Sequence, residues 1–132
     1  MANLQPAPGF VKHPDHKMDI TPAGKGYEVS YQGKLIARSS SAMLLEEGNY
    51  QGRLYFPRLD VSEEYLTANS LSTYCPFKGD ARYWNVKAGT ESVENGAWAY
   101  DTPFDESRAI EAHVCFYTEK DGFSVTEFVD VA

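Results

Sequence analysis

Long apolar segments are missing from this sequence of 132 residues. The longest apolar run is a handful of residues, whereas a transmembrane helix needs roughly 20. The N-terminal stretch also lacks a basic segment followed by an apolar one, so we expect no secretory signal. We therefore predict a cytoplasmic protein with no membrane partner.

Cysteine and histidine are scarce: the chain has two cysteines and three histidines. In a reducing cytoplasm Cys75 and Cys115 are expected to be free thiols, and the alternation around Cys115 predicts a core position for it. No CxxC pair is present, and His13 and His16 of "HPDH" lie in a proline-rich stretch. We therefore predict a solvated arm there, with no metal site and no cofactor.

Basic runs are also absent. The chain has 12 Lys and Arg against 19 Asp and Glu, a net charge of −7 that repels phosphate backbones. The glycine-rich "AGKGY" is not a phosphate-binding loop, and the adjacent Glu46 and Glu47 would face opposite sides of a strand. We therefore expect no nucleic-acid partner and no paired acids for metal-dependent phosphate chemistry.

Aromatic residues, in contrast, are abundant, with nine Tyr, seven Phe and two Trp. Such residues favour pleated, half-buried surfaces. Short strand-like runs recur about every ten residues, with turn residues between them. The sequence therefore predicts a mainly β, single-domain, antiparallel sandwich or barrel-like fold with one or two short helices.

The organisation along the chain can be predicted in outline. Residues 1–22, rich in proline and without periodicity, predict an extended N-terminal arm, and residues 23–132 the β domain. A β-hairpin is expected around Gln32 and Gly33. A short helix is expected to begin at Asp60 or Ser62, and residues 102–113 could hold a helical turn.

The stretch "STYCPFKGDARYW", residues 72–84, has two interpretations. Cys75 could be a nucleophile if nearby cations activated it, and Lys78 and Arg82 follow closely, with His113 as the one candidate base outside the arm. Alternatively the stretch is a strand–turn–strand corner with its turn at 78–80. Pro76 restricts Cys75 to an extended conformation, which suits a packed strand end equally well.

Aromatic residues on separate strands suggest a second feature. Neighbouring positions on a strand face opposite sides, so half of these rings would fill the core and the others could line a concavity together with cations. The alternative is an aromatic face buried in a homodimer. The candidate pocket residues are Arg38, Tyr55, Cys75, Lys78, Tyr83, Trp98 and Tyr100.

The order of these motifs resembles the family called domain of unknown function 427, which also carries the label nucleotidyltransferase family 9. The resemblance covers about residues 27–128 and rests on a Tyr/Phe-Pro strand end, a Cys-Pro-x-Lys-Gly-x-Ala-x-Tyr segment and a Trp-x-Tyr-x-x-Pro turn. The matching residues are Tyr55, Pro57, Cys75, Pro76, Lys78, Gly79, Ala81, Tyr83, Trp98, Tyr100, Pro103, Ile110, Phe116 and Tyr117. The resemblance implies a bacterial, cytoplasmic, antiparallel β domain and no established activity.

Three functions are compatible with these residues. The first is a β domain that binds a small anionic or planar ligand in a pocket built from the seven candidate residues. The second is an enzyme for a small anionic or nucleotide-like substrate, with Cys75 or Lys78 in its site. The third is a structural homodimer.

Overall fold

The structure, a computed structural model, describes residues 5–129. Over this range one α-helix, α1, spans Pro8–Lys12, and 3-10 helices span Arg58–Asp60, Glu63–Tyr65 and Asp105–Ile110. The strands are Met18–Pro22 (β1), Gly26–Tyr31 (β2), Lys34–Ser39 (β3), Met43–Glu47 (β4), Arg53–Pro57 (β5), Leu66–Cys75 (β6), Gly79–Ala88 (β7), Glu91–Tyr100 (β8), His113–Phe116 (β9) and Phe123–Phe128 (β10). None of the helices among these residues is long and apolar enough to cross a membrane.

The strands form two antiparallel sheets. The larger sheet has seven strands in the order β1-β4-β5-β9-β8-β7-β6, and the smaller has three in the order β10-β2-β3. Over residues 5–129 they form an open sandwich and no closed barrel. The predicted mainly β, antiparallel fold is confirmed.

The hairpin predicted around Gln32 and Gly33 joins β2 to β3. Both residues have positive φ, 50° and 78°, which a tight two-residue hairpin turn requires. Tyr31 and Lys34 face each other directly across this turn. The small sheet is therefore set by a local turn signal that is visible in the sequence.

The main hydrophobic core lies between the two sheets. The small sheet contributes Val29 and Ile36, and the large sheet contributes Phe56, Val86 and Val114, each at most 1% exposed. Burial of this apolar area is the main term that stabilises such a sandwich. We call this side of the large sheet the core face.

The opposite side of the large sheet carries a second cluster, and we call it the open face. Its buried members are Leu45, Tyr55, Ala81, Tyr100, Ile110 and Cys115. Strand alternation separates the two faces, because Phe56 packs in the core while its neighbour Tyr55 belongs to the open face. The 3-10 helix Asp105–Ile110 covers part of this face through the buried Ile110.

The helix predicted from Asp60 or Ser62 is reduced to one 3-10 turn, Glu63–Tyr65, and no side chain caps it. Asp60 instead accepts a hydrogen bond from the Ser39 hydroxyl, and the Ser62 backbone N–H donates to the Ile36 carbonyl. These groups therefore fasten the loop to β3. The helical turn predicted within 102–113 is present as Asp105–Ile110.

The N-terminal segment is more ordered than the predicted extended arm. Residues 1–4 lie outside the described range, but α1 forms a helix and β1 pairs along its full length with β4. The N-terminal segment is held in place by contacts with distant parts of the chain, and the local pattern of the sequence does not reveal such contacts. The Gly9 N–H donates to the Pro76 carbonyl, and the Gly48 N–H donates to the Lys17 carbonyl.

Candidate functional site

A cavity of about 510 Å³ opens on the open face of the large sheet. It extends across β4, β5, β8 and the turn between β6 and β7. Six aromatic side chains line it, namely Tyr50, Tyr55, Tyr83, Trp98, Tyr100 and Tyr117. Charged groups line it as well: Glu47, Arg53 and Lys78.

Strand alternation explains why aromatic rings gather here. On β8, Ala97 and Ala99 are packed into the core face, so Trp98 and Tyr100 point to the other side. Pairing of Trp98 with Cys115, and of Tyr55 with Cys115, brings β5 and β8 to either side of β9. The small Cys115 side chain between them leaves room for the rings to meet.

Tyr55 and Tyr100 are buried aromatic residues of the cavity lining, at 2% and 8% exposure. Burial raises the pKa of both phenols, so they stay protonated at neutral pH. The Trp98 indole Nε1–H donates to the Tyr55 hydroxyl oxygen at 3.2 Å. These groups present ring faces together with protonated hydroxyls, a surface suited to a planar ligand with polar edges.

The remaining rings form the walls. Trp98 and Tyr117 meet edge to face, with ring centroids 5.6 Å apart. The Tyr83 hydroxyl lies 2.9 Å from the hydroxyl of Thr73 on β6. The contacts restrain three of the rings, and restraint of this kind lowers the entropy that a side chain would lose in binding.

Lys78 and Glu47 form the first charged end of the cavity, and His16, which is not itself a lining residue, contacts Glu47. Glu47 accepts hydrogen bonds from Lys78 Nζ at 2.6 Å and from His16 Nε2 at 2.7 Å. Burial opposes ionisation of Glu47, but these two partners outweigh it and hold its pKa below the usual value. All three side chains are largely covered, with 12%, 14% and 22% of the side chain exposed for Lys78, Glu47 and His16.

The turn that carries Lys78 is held by the N-terminal segment. The Phe77 ring stacks on His16 at 3.8 Å between centroids and meets the Phe10 ring edge to face at 5.0 Å. Gly9 sits so close that a Cβ there would lie 2.7 Å from the Phe77 ring. The turn is Pro76–Lys78, between β6 and β7, and not residues 78–80 as predicted, because Gly79 already pairs with Cys75.

Arg53 forms the second charged end of the cavity, and it binds Glu119, which is not itself a lining residue. Arg53 Nη1 and Nη2 donate to Glu119 Oε1 and Oε2 at 2.6 and 2.7 Å, a two-bond fork. The guanidinium carbon lies 5.3 Å from the ring centroids of both Trp98 and Tyr117. The hydrogen bonds from Arg53 hold the pKa of Glu119 below its usual value.

The structure brings together most of the predicted pocket residues. Tyr55, Lys78, Tyr83, Trp98 and Tyr100 line the cavity, and Cys75 packs against the same cluster without being part of the lining. Arg38 lies elsewhere. Its guanidinium is 3.8 Å from the Phe128 ring centroid and 3.6 Å from a Glu28 carboxylate oxygen, on the small sheet.

The cations expected near Cys75 have other partners. Lys78 is bound to Glu47, and Arg82 stacks over Trp84 at 4.5 Å and lies 3.5 Å from Asp101. Trp84 belongs to the core face, so Arg82 points away from the cavity. Cys75 is half-buried, whereas Cys115 is buried in the cluster as predicted, and burial raises the pKa of its thiol.

His16 differs from the solvated position predicted for the "HPDH" stretch. It is half-buried between Phe77 and Glu47, although its neighbour His13 is exposed. Within residues 5–129, no group of three or more His, Cys, Asp or Glu side chains is placed to hold a metal ion. His16 therefore acts as a hydrogen-bond partner of Glu47 in this structure.

The seven predicted pocket residues do not include Arg53 or Glu119, and they omit Tyr117 although it is a matching residue of the family motifs; Glu47 has no predicted role at a pocket. Adjacent aromatic and charged residues on β5 and after β9 were the available signal. Their meeting depends on the register of Tyr55 with Cys115, which only the assembled sheet reveals.

Comparison with known families agrees with the motifs of the β6–β7 turn. A family model described as a domain of unknown function (DUF427) matches residues 19–130, which include all strands of the large sheet except the first residue of β1. A search of curated proteins finds no match to the chain.

Proposed function

Because the chain belongs to DUF427, a family described as a domain of unknown function, we propose its function from the cavity itself: the domain binds a small planar ligand that carries an anionic group. The observation that carries this proposal is the aromatic cavity with a cation at each end. The ligand would lie with its plane against the rings of Trp98 and Tyr83, and its anionic group would contact Arg53 or Lys78.

The size of the cavity supports a small ligand. Its volume of about 510 Å³ falls within the roughly 300–1,000 Å³ typical of ligand sites. Aromatic rings usually contribute to stability by packing in a core. Here, instead, six of them surround one open space. Ring faces together with a few polar groups are the usual lining of a site for an organic ligand.

The charges restrict the class of ligand further. Each cation already has one carboxylate partner, so the cavity carries balanced charge and does not act as a general anion trap. A single anionic group on a planar body suits this arrangement better than a polyanion, because the rings supply most of the contact area. As a reference for such contacts, stacking of a nucleic-acid base on an aromatic side chain is worth about 1–3 kcal/mol per base.

Trp98 offers a direct test of this proposal. The chain has two tryptophans, and Trp84 is buried on the core face. In the Trp84→Phe variant the fluorescence therefore reports only on Trp98, inside the cavity. We expect saturable quenching by naphthalene-2-carboxylate with a Kd of about 1 mM or lower.

The matched control is Trp98→Phe, which keeps Trp84 as the only indole and should show no saturable change. Absence of saturation in Trp84→Phe at about 10 mM ligand, or an equal response of both variants, would overturn the proposal. Nucleotides added in the same titration test the nucleotidyltransferase label. Saturable binding of a nucleoside triphosphate but not of naphthalene-2-carboxylate would favour the enzymatic alternative with Lys78 in the site.

A further inference from the structure

The two charged ends of the cavity differ in how firmly their carboxylates are held. We infer that Arg53 is the subsite for a carboxylate of the planar ligand, and that Glu119 competes with the ligand for it. This inference rests on the proposed function and adds the chemical class of the ligand. The ligand is then an aromatic carboxylate, and the Glu119 side chain competes with it for Arg53.

The geometry of Arg53 matches a carboxylate. Two parallel hydrogen bonds, 2.6 and 2.7 Å long, join its terminal nitrogens to the two oxygens of Glu119. A planar guanidinium makes this fork, and a lysine ammonium does not. The nearby rings of Trp98 and Tyr117 fix the plane of the fork beside the cavity, so a carboxylate bound there places its attached ring against the indole.

Glu119 is the more exposed of the two paired carboxylates, so a ligand displaces it more readily than Glu47. It lies in the turn between β9 and β10, and 38% of its side chain is exposed. After displacement its carboxylate can be hydrated, so it is not left as a buried charge without a partner. A ligand carboxylate that also stacks on Trp98 recovers the same two hydrogen bonds and gains the ring contact.

The Lys78 end does not allow the same exchange. Glu47 is 14% exposed at its side chain and is bound on both oxygens, by Lys78 and by His16. A ligand anion at Lys78 would take one of its two partners away from this covered carboxylate, which is costly. Glu47 therefore keeps Lys78 as a fixed polar wall, and the exchangeable position is Arg53.

The substitution Glu119→Gln tests this competition, because it removes the charge and keeps the shape of the side chain. In the Trp84→Phe background, quenching of Trp98 is measured with naphthalene-2-carboxylate and with its neutral amide. We expect Glu119→Gln to bind the carboxylate about two- to fivefold more tightly and to bind the amide as before. Arg53→Lys, which keeps the charge but loses the fork, should weaken carboxylate binding about tenfold with a much smaller effect on the amide.

Glu127→Gln is the control for net charge, since Glu127 is an exposed carboxylate on β10 that pairs with Lys25. It should leave both affinities unchanged. An unchanged or weaker carboxylate affinity in Glu119→Gln, or an equal gain for the amide, would overturn the inference while ring binding itself still supported the proposed function. If neither compound binds to any variant, both the inference and the proposed function fail.

Discussion

The core face and the open face of the seven-stranded sheet use the same strands in different ways. The core face is covered by the small sheet, and its central side chains are almost fully buried. The open face is covered only in part, and its rings surround a cavity instead of packing against another sheet. Adjacent residues on one strand therefore contribute either to stability or to the candidate site. Substitutions on the core face should change mainly stability, and substitutions on the open face mainly the site.

The two cysteines give the largest expected contrast, and they test how open the open face is. Cys115 is 1% exposed under the rings, whereas Cys75 is half-buried at the end of β6. Labelling of Cys115 requires unfolding, so with a stability of about 5 kcal/mol or more it should be slower than Cys75 by a factor of about 10³ or more. Mass spectrometry after timed alkylation measures both rates.

The Cys75→Ser variant is the control, since it leaves only Cys115 to react. Lys78 is bound to Glu47 and Arg82 points to the core face, so the half-buried Cys75 should react no faster than an ordinary accessible thiol. A much faster reaction of Cys75 would contradict this expectation and favour the enzymatic alternative with Cys75 as nucleophile.

Phe56 and Tyr55 are neighbours on β5 that face opposite sides, and they should differ in their effect on stability. Phe56 is 1% exposed in the core, so Phe56→Ala should lower the free energy of unfolding by about 3–5 kcal/mol. Tyr55→Phe removes the acceptor of the Trp98 hydrogen bond and should cost only about 0.5–1.5 kcal/mol. Urea denaturation followed by circular dichroism measures both.

The effects of these two substitutions on ligand affinity should have the reverse order, with the larger effect at Tyr55. Tyr55→Phe changes the floor of the cavity and should weaken binding of naphthalene-2-carboxylate, since the hydroxyl that orients Trp98 is lost. Equal destabilisation by Phe56→Ala and Tyr55→Phe would show that the open face is as tightly packed as the core face.

The sequence predicts the strands well because their signals are local. Alternation marks strands such as β2 and β8, although β1 lies in the stretch assigned to the arm, and Gln32-Gly33 supplies the positive φ values of a tight turn. Five of the seven predicted pocket residues line the cavity, since alternation correctly separates residues such as Trp98 from Ala97. The Cys-Pro-x-Lys-Gly motif also marks the position of Lys78 in a turn.

What alternation does not reveal is how one strand lies beside another. Arg38 has the chemistry of a pocket residue, but β3 belongs to the small sheet, so it contacts Phe128 instead. Arg53 reaches Glu119 only because β5 pairs with β9. This pairing joins residues far apart in the chain: Phe56 lies opposite Val114, 58 positions later. His16 lies in a stretch without periodicity, and its order depends on contacts with Phe77 and Glu47.

Glu47 gives a smaller expected stability change than Phe56 and tests whether the open face has a firmly held end. Glu47→Gln leaves the covered Lys78 without a charged partner, so it should lower the free energy of unfolding by about 1–3 kcal/mol near pH 7. The exposed Glu91→Gln is the matched control, with the same change of charge and an expected effect within about 0.5 kcal/mol.

The effect of Glu47 should also depend on pH. Its pKa in the folded chain is lower than the ordinary value of 4.5, so the unfolded chain takes up the proton first as the pH falls. The stabilisation by Glu47 is therefore fully present well above pH 4.5 and is lost as the pH falls through 4.5 towards the lower folded pKa. Urea titrations of the wild type and Glu47→Gln should converge over this window, while Glu91→Gln follows the wild type throughout. A difference in the free energy of unfolding between wild type and Glu47→Gln that stays constant with pH would show that Glu47 contributes through packing and not through its charge. In that case Glu47 would not hold Lys78 in place, and Arg53 would no longer be the only cation that can exchange its carboxylate.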